Sequence, residues 1–292
     1  MSITAELVLD AQAVLGEGPL WHAPTQKLFW VNLLDGEVHL FDPATNEDRV
    51  VEVGQPVGTV VSRQAGGAMV AVANGFASLD LESGELTVIH DPEADMPENR
   101  FNDGKCDPAG RFWAGTMPYD PGSPTGSLYC MDIDHSVRKM LDGVMISNGI
   151  VWTSDNSTMY YVDSLTRQVA AFDYDVSTGD ISNRRVAVSV PEDFGVPDGM
   201  TIDEEDTIWV AHFGGSRITH WNPANGELLG KIDVPASQVT ACAFGGPDLT
   251  DLYITTARFE LDDEALKEEP AAGGLFVATP GAKGVAAFEF AG

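Results

Sequence analysis

Short runs in which apolar and polar residues alternate recur along this chain, each rich in aromatic and β-branched side chains, which is the two-residue period of a half-buried strand. One phrase repeats six times: a strand of this kind, a turn, and a second strand ending near Asp or Asn. The copies are Leu28–Val31 leading to Phe41–Asp42, Ala68–Ala71 to Leu79–Asp80, and Arg111–Ala114 to Tyr129–Asp132, then Met159–Val162 to Phe172–Asp173, Thr207–Val210 to Trp221–Asn222, and Asp251–Ile254 to Leu275–Val277. Their spacing of roughly 40 to 50 residues is that of propeller blades of four strands each. Thr45-Asn46-Glu47, Ser83-Gly84-Glu85, Thr178-Gly179-Asp180 and Asn225-Gly226-Glu227 carry hairpin-turn chemistry. Helical periodicity is nowhere sustained, and the best helix candidate is the short run Asp262–Lys267. The pattern predicts an all-β, six-bladed β-propeller around a central channel, as one domain over residues 1–292. Ile3–Val8 precedes the first repeat and is expected to close the ring by pairing in the last blade, which removes an exposed sheet edge.

About ten to twelve residues before each aromatic strand the repeat contains a further strand, the innermost of its blade, and equivalent inner-strand positions in a propeller face one axis. These positions read Glu17-Gly18, Val57-Gly58, Asp103-Gly104, Asn148-Gly149, Asp198-Gly199 and, more loosely, Thr240-Ala241. An isolated Asp-Gly or Asn-Gly pair marks a turn and nothing more. Four oxygen-bearing side chains in repeat phase are different, because crowding them in a narrow channel is costly unless a positive charge sits among them. A divalent cation would supply it, with carboxylate and amide oxygens suiting Ca²⁺, Mg²⁺ or Mn²⁺, and Zn²⁺ tolerated. Gly16-Glu17-Gly18 lacks the rest of a dinucleotide fingerprint. The stretch from Asp173 imitates a calcium loop but has Thr178 and Arg184 where Gly and Glu are required. There is no GxSxG elbow, and the six His residues, His22 and His212 among them, form no metal pair at helical spacing.

Leu15-Gly16-Glu17-Gly18-Pro19-Leu20-Trp21, Asn99-Arg100-Phe101-Asn102-Asp103-Gly104-Lys105, Ser147-Asn148-Gly149 and Pro197-Asp198-Gly199-Met200 closely resemble the signature segments of the gluconolactonase family, which includes senescence marker protein 30 (regucalcin). The resemblance spans the whole chain. It implies a six-bladed propeller that hydrolyses a sugar lactone, an aldonolactone such as gluconolactone or a pentonolactone, with one divalent cation. By motif, Glu17, Asn148 and Asp198 match the family's metal ligands, and Arg100 and Asn102 match residues that hold substrate. Where vertebrate members carry a sugar-gripping Glu after the Gly-Thr-Met segment, Gly115-Thr116-Met117 here leads to Asp120, the expected hydroxyl contact. Lactone hydrolysis needs a base toward water and a proton for the leaving ring oxygen, and Asp198 is the expected catalytic residue. Two other readings use the same ligands: an organophosphate hydrolase, which would need apolar pocket walls, and a non-catalytic calcium-binding protein.

Composition narrows the setting. Apolar residues make up 43% of the 292, enough for a substantial core. No basic segment followed by an apolar run opens the sequence, and Cys106, Cys130 and Cys242 are too scattered to suggest a disulfide framework, so a cytoplasmic protein is expected. Nothing marks an oligomer interface, and a monomer is expected. With 45 acidic against 16 basic residues, the net charge of -29 would repel nucleic acid and anionic membranes, leaving a small molecule as the partner. Such an excess is either a solvated acidic surface or an adaptation to high salt, where counterions screen self-repulsion. If it is the latter, the melting temperature rises between low and molar NaCl; an unchanged midpoint removes the salt reading.

Overall fold

The computed structural model describes residues 3–120 and 122–292 and is a ring of six small sheets. Within each sheet the chain runs from the innermost strand outward through antiparallel hairpins. The first blade shows the pattern: Gly16–His22, Lys27–Asn32, Glu37–Asp42 and Glu47–Glu52 lie side by side in chain order. The other five inner strands are Val57–Ser62, Asn99–Cys106, Ser147–Trp152, Val196–Ile202 and Val239–Gly245. Each packs against the inner strand of the next blade, and Val239–Gly245 returns to Gly16–His22, so the ring is closed.

Burial follows radius. Inner and second strands are buried almost throughout, whereas an outermost strand such as Glu47–Glu52 is mostly exposed, with Val51 alone buried. Aromatic side chains fill the wedges between blades. Phe76 meets Phe101 and Phe112 at ring separations of 4.9 and 5.3 Å, and Trp113 meets Trp152 edge-on at 5.9 Å. Buried acids stitch these wedges together. Asp107, fully buried, accepts from Trp113 Nε1 at 2.8 Å, Arg111 Nε at 2.7 Å and the Tyr174 hydroxyl at 2.7 Å, joining the third blade to the fourth. The three cysteines are free and buried, and burial pushes the Cys130 and Cys242 thiols up to about 12, which makes them inert.

The hairpins behave as their sequences predict: Asn46 and Gly84 adopt left-handed backbone with φ of 58° and 75° at the turns between the third and fourth strands of their blades. The stretch from Asp173 is also a hairpin, with Asp173 holding Asn183 and Arg185 across two paired strands. The helix is smaller than expected and shifted, Ala265–Glu268, with the Asp262 carboxylate accepting from the backbone N–H groups of Glu264 and Ala265 at its start. The N-terminal segment differs from expectation in an informative way. Glu6–Leu9 does close the last blade, antiparallel to Leu275–Ala278, but Ile3–Thr4 runs parallel to Glu227–Asp233 on the fifth. The change of partner occurs at Ala5, which is buried and donates its N–H to the Asp233 carbonyl, so the segment staples two blades together. Deleting residues 1–9 should leave the Leu275–Ala278 edge unpaired, lower the melting temperature and promote self-association, measurable by calorimetry and light scattering; an unaltered melting profile would show that the staple is dispensable.

Candidate active site

All six inner strands break register at the same place. The ladder with the second strand slips between Glu17 and Leu20, Val57 and Thr59, Phe101 and Gly104, Ser147 and Ile150, Pro197 and Met200, and Val239 and Ala241. A bulge interrupts the alternation of faces and re-aims a side chain. Here it lets the residue at the slip project to the axis. The glycine that follows answers a second need, clearance: a Cβ on Gly149 would sit 2.8 Å from the Met200 nitrogen and 3.0 Å from the Asp198 carbonyl oxygen of the neighbouring blade. The paired signal of polar residue plus Gly is thus a side chain directed inward beside a backbone that must make room.

Glu17, Asn148, Asp198, Arg100 and Asn102 all line one cavity of about 350 Å³ at the end of the ring where the inner strands begin. Glu17, Asn102, Asn148 and Asp198 are each at most 6% exposed although they carry the site's charge and polarity. Asp103 does not join them. The slip in the third blade spans Phe101 to Gly104, which brings Asn102 to the cavity, and Asp103 lines a void of about 10 Å³ farther along the axis with Lys105. Asp120 is exposed and does not line the cavity; its neighbour Tyr119 does, with the Arg100 guanidinium 5.9 Å from its ring centre. His22 and His212 are absent from the lining, and the buried His212 is held near 3 by desolvation. Ser164, Phe259 and Glu260 line the cavity without having been singled out in the sequence. Ser164 had a usable signal, as the polar residue directly after a second strand, Thr158–Asp163, at the same end of the ring.

A directed hydrogen-bond relay crosses the floor. Arg100 Nη1 donates to Asn102 Oδ1 at 2.7 Å, Asn102 Nδ2 donates to Asn148 Oδ1 at 3.1 Å and to the Ser147 carbonyl at 2.8 Å, and Asn148 Nδ2 donates to Ser164 Oγ at 2.8 Å. A guanidinium can only donate and a carbonyl can only accept, so both ends of the Asn102 amide are specified. Asn148 is therefore oriented with its oxygen toward Asn102 and its NH₂ toward Ser164. Arg100 spends Nη1 again on the Phe101 carbonyl at 3.0 Å, while its Nε is buried without an acceptor.

The acids are under electrostatic pressure. Burial, then the nearby Asp103 charge, raises Glu17 to about 8, against the opposing Gly18 N–H donated to its Oε2 at 3.0 Å. Burial, then Glu17, then Asp103, pushes Asp198 well above the usual carboxylate range, and its Oδ1 is buried with no hydrogen-bond partner. Arg100 is lowered to about 10, chiefly by burial. An unpartnered buried carboxylate oxygen, a second acid and a correctly turned amide oxygen form a donor set that fits a hard divalent cation. Among the described residues no three His, Cys, Asp or Glu side chains are placed to hold a metal ion, so a cation here would rest on two carboxylates with the Asn148 amide.

Comparison with known proteins finds relatives along the whole chain. Residues 15–258 match the family described as the SMP-30/Gluconolactonase/LRE-like region. Regucalcin of Xenopus laevis is 40% identical over 297 residues, covering 100% of this chain and 99% of its own. A Bacillus subtilis (strain 168) protein described as a candidate sugar lactone lactonase, YvrE, is 40% identical over 289 residues, covering 99% of each chain. The solved structure of a calcium-binding protein, regucalcin from Agrobacterium tumefaciens, superposes with a TM-score of 0.94 at 28% identity over 99% of each chain.

The raised Glu17 pKa has a sign that can be checked. Between its ordinary 4.5 and about 8 the folded chain keeps a proton that the unfolded chain has lost, so ionising Glu17 costs stability as pH rises through that window. Glu17→Gln should therefore raise the melting temperature of chelator-treated protein more at pH 8.5 than at pH 5. With 1 kcal/mol moving the midpoint by about 2–4 °C in domains only slightly smaller, thermal melts resolve this, and an equal shift at both values would refute the assignment.

Proposed function

Because this chain belongs to the SMP-30/gluconolactonase/LRE-like family, we propose that it is a lactonase that hydrolyses a sugar lactone to the aldonic acid with one divalent cation held by Glu17, Asn148 and Asp198. The observation that carries this reading is the buried, unpartnered Oδ1 of Asp198, which shares a cavity with Glu17 and with an Asn148 amide oriented by the relay from Arg100. Ca²⁺ suits the oxygen donors best, with Mg²⁺, Mn²⁺ and Zn²⁺ as alternatives, and the Agrobacterium relative is described as calcium-binding. When bound, the cation supplies the positive charge that an ester carbonyl needs as it becomes an oxyanion.

The chain's own groups do the rest. Asp198 takes a proton from the attacking water and returns it to the ring oxygen as the acyl C–O bond breaks, so that lactone and water become a hydroxy acid with no further reactant. Its burial and its crowding by Glu17 raise the energy of the ionised form, and the positive charge of a cation would offset this and leave Asp198 ionised, as a base toward water must be. Glu17 and Asn148 set the cation's position. Arg100 and Asn102, locked to each other, present a rigid polar face that orients the substrate. With Asp120 outside the cavity, Tyr119 and Glu260 are the groups at the mouth available to sugar hydroxyls. Among the described residues no helix is long and apolar enough to cross a membrane, and the free buried cysteines support a reducing, cytoplasmic setting.

The test is acid release from gluconolactone and a pentonolactone above the spontaneous rate, after chelation and with each cation restored in turn. Activity that disappears on chelation and returns with Ca²⁺ is expected, and cation binding without acid release would favour the calcium-binding reading. Asp198→Ala should retain the fold and lose about a hundredfold to ten-thousandfold in kcat at saturating cation. Near wild-type turnover in that variant would remove Asp198 from the chemistry.

A further inference from the structure

The floor of the axial cavity is polar, but most of its wall is not. Leu15, Leu34, Met117, Ile146, Val196 and Phe213 line it together with the floor residues. Two further lining side chains, Leu165 and Phe259, are 45% and 37% exposed although large and apolar. Leaving such groups in water at the mouth of a concave site is unfavourable unless a ligand covers them.

A polyhydroxylated ring would make little use of this wall. Each buried hydroxyl needs a partner or costs its desolvation. Outside the floor the lining offers Tyr119, Ser164 and Glu260, and Ser164 Oγ accepts from Asn148 Nδ2, which leaves chiefly its O–H for a ligand. Arg100 spends Nη1 on Asn102 and Phe101, which leaves Nη2 and the buried Nε as the floor's free donors, and Asp120 is outside the cavity. The polar floor suffices for one ester group and its nearest substituent, and the wall beyond it matches hydrocarbon.

We propose that this site takes a further substrate class, γ- and δ-lactones bearing an alkyl chain, with the ester on the polar floor and the chain lying along the wall from Leu15, Ile146 and Phe213 out to Leu165 and Phe259. This rests on the lactonase reading and deepens it. The reaction is the same hydrolysis: water adds to the acyl carbon, the acyl C–O bond breaks, and the proton passes to the released alkoxide, giving a hydroxy fatty acid.

The experiment measures kcat/KM for γ-lactones carrying hydrogen, ethyl, butyl and hexyl at the ring, with gluconolactone alongside, using the full chain and Ca²⁺ on a pH-stat. Each methylene that reaches the wall should raise kcat/KM by up to about fourfold, the equivalent of ~0.8 kcal/mol per buried CH₂, until the wall is filled. Leu165→Asn with Phe259→Asn, at exposed positions where the fold tolerates polarity, should flatten that rise, with thermal melts confirming that the variant is folded. A flat or falling series in the unaltered protein, with gluconolactone still hydrolysed, overturns this proposal and leaves the lactonase reading intact. An undiminished rise in the double variant also overturns it, because the chain would then lie elsewhere. Hydrolysis of no lactone at all overturns both.

Discussion

Six strands beginning around one axis leave almost no room there, and the structure depends on how that crowding is relieved. Glycine lies within or at the end of the slip in five of the six inner strands, and in the sixth Ala241 stands against Gly199 of the neighbouring blade, where an added Cβ would come within 2.9 Å of its Cα. With backbone thus thinned, a polar side chain can occupy the axis without forcing neighbouring blades apart. The same crowding removes water, so every charge placed there is desolvated. Close packing of the ring and perturbation of its acids are two consequences of one geometric fact.

Two carboxylates brought close in such a place repel each other, and the protein answers with oriented dipoles and cations of its own. Arg100 stands at the head of the relay through Asn102 to Asn148, and Lys105, buried farther along the axis, donates to the Met200 carbonyl near Asp103. These groups orient and partly offset the acids without pairing Asp198 Oδ1. A buried acceptor without a donor is rare in a folded protein and costs on the order of 1–3 kcal/mol, which is why it reads as a site built for something else to complete.

The outer surface follows a different logic. Arg100, Lys105 and Arg111 are drawn inward, and Arg49, Arg138, Lys139, Arg185 and Lys231 already sit against acids, so half of the 16 basic residues are left to balance the rest of the 45 acidic ones. Exposed pairs of this kind contribute about 0–1 kcal/mol each. The surface charge therefore bears on solubility and salt response, and the fold is carried by the buried aromatic wedges and the closed ring.

Blade number, strand order and the axis-facing series were legible in the sequence because each depends on periodicity: alternation of two along strands, the turn chemistry between them, and one blade repeated six times. Glu17, Asn148 and Asp198 stood out for the same reason, since a propeller turns equal phase into common direction. What local pattern could not reveal were features decided between blades or by loop paths. The slip in the third blade falls one residue earlier relative to its Asp-Gly pair than in the fourth and fifth blades and so exchanged Asp103 for Asn102, the N-terminal segment divided between two blades at Ala5, and the loop beyond Met117 brought Tyr119 to the cavity and left Asp120 outside it. Part of the apolar wall follows the repeat, since Leu15, Ile146 and Val196 each stand two residues before Glu17, Asn148 and Asp198, whereas Leu34, Met117, Leu165, Phe213 and Phe259 come from the second strands and the loops after them, and only their meeting in space makes them a surface. A repeating sequence specifies the ring and what points at its centre, and the irregular chain between repeats decides what that centre meets.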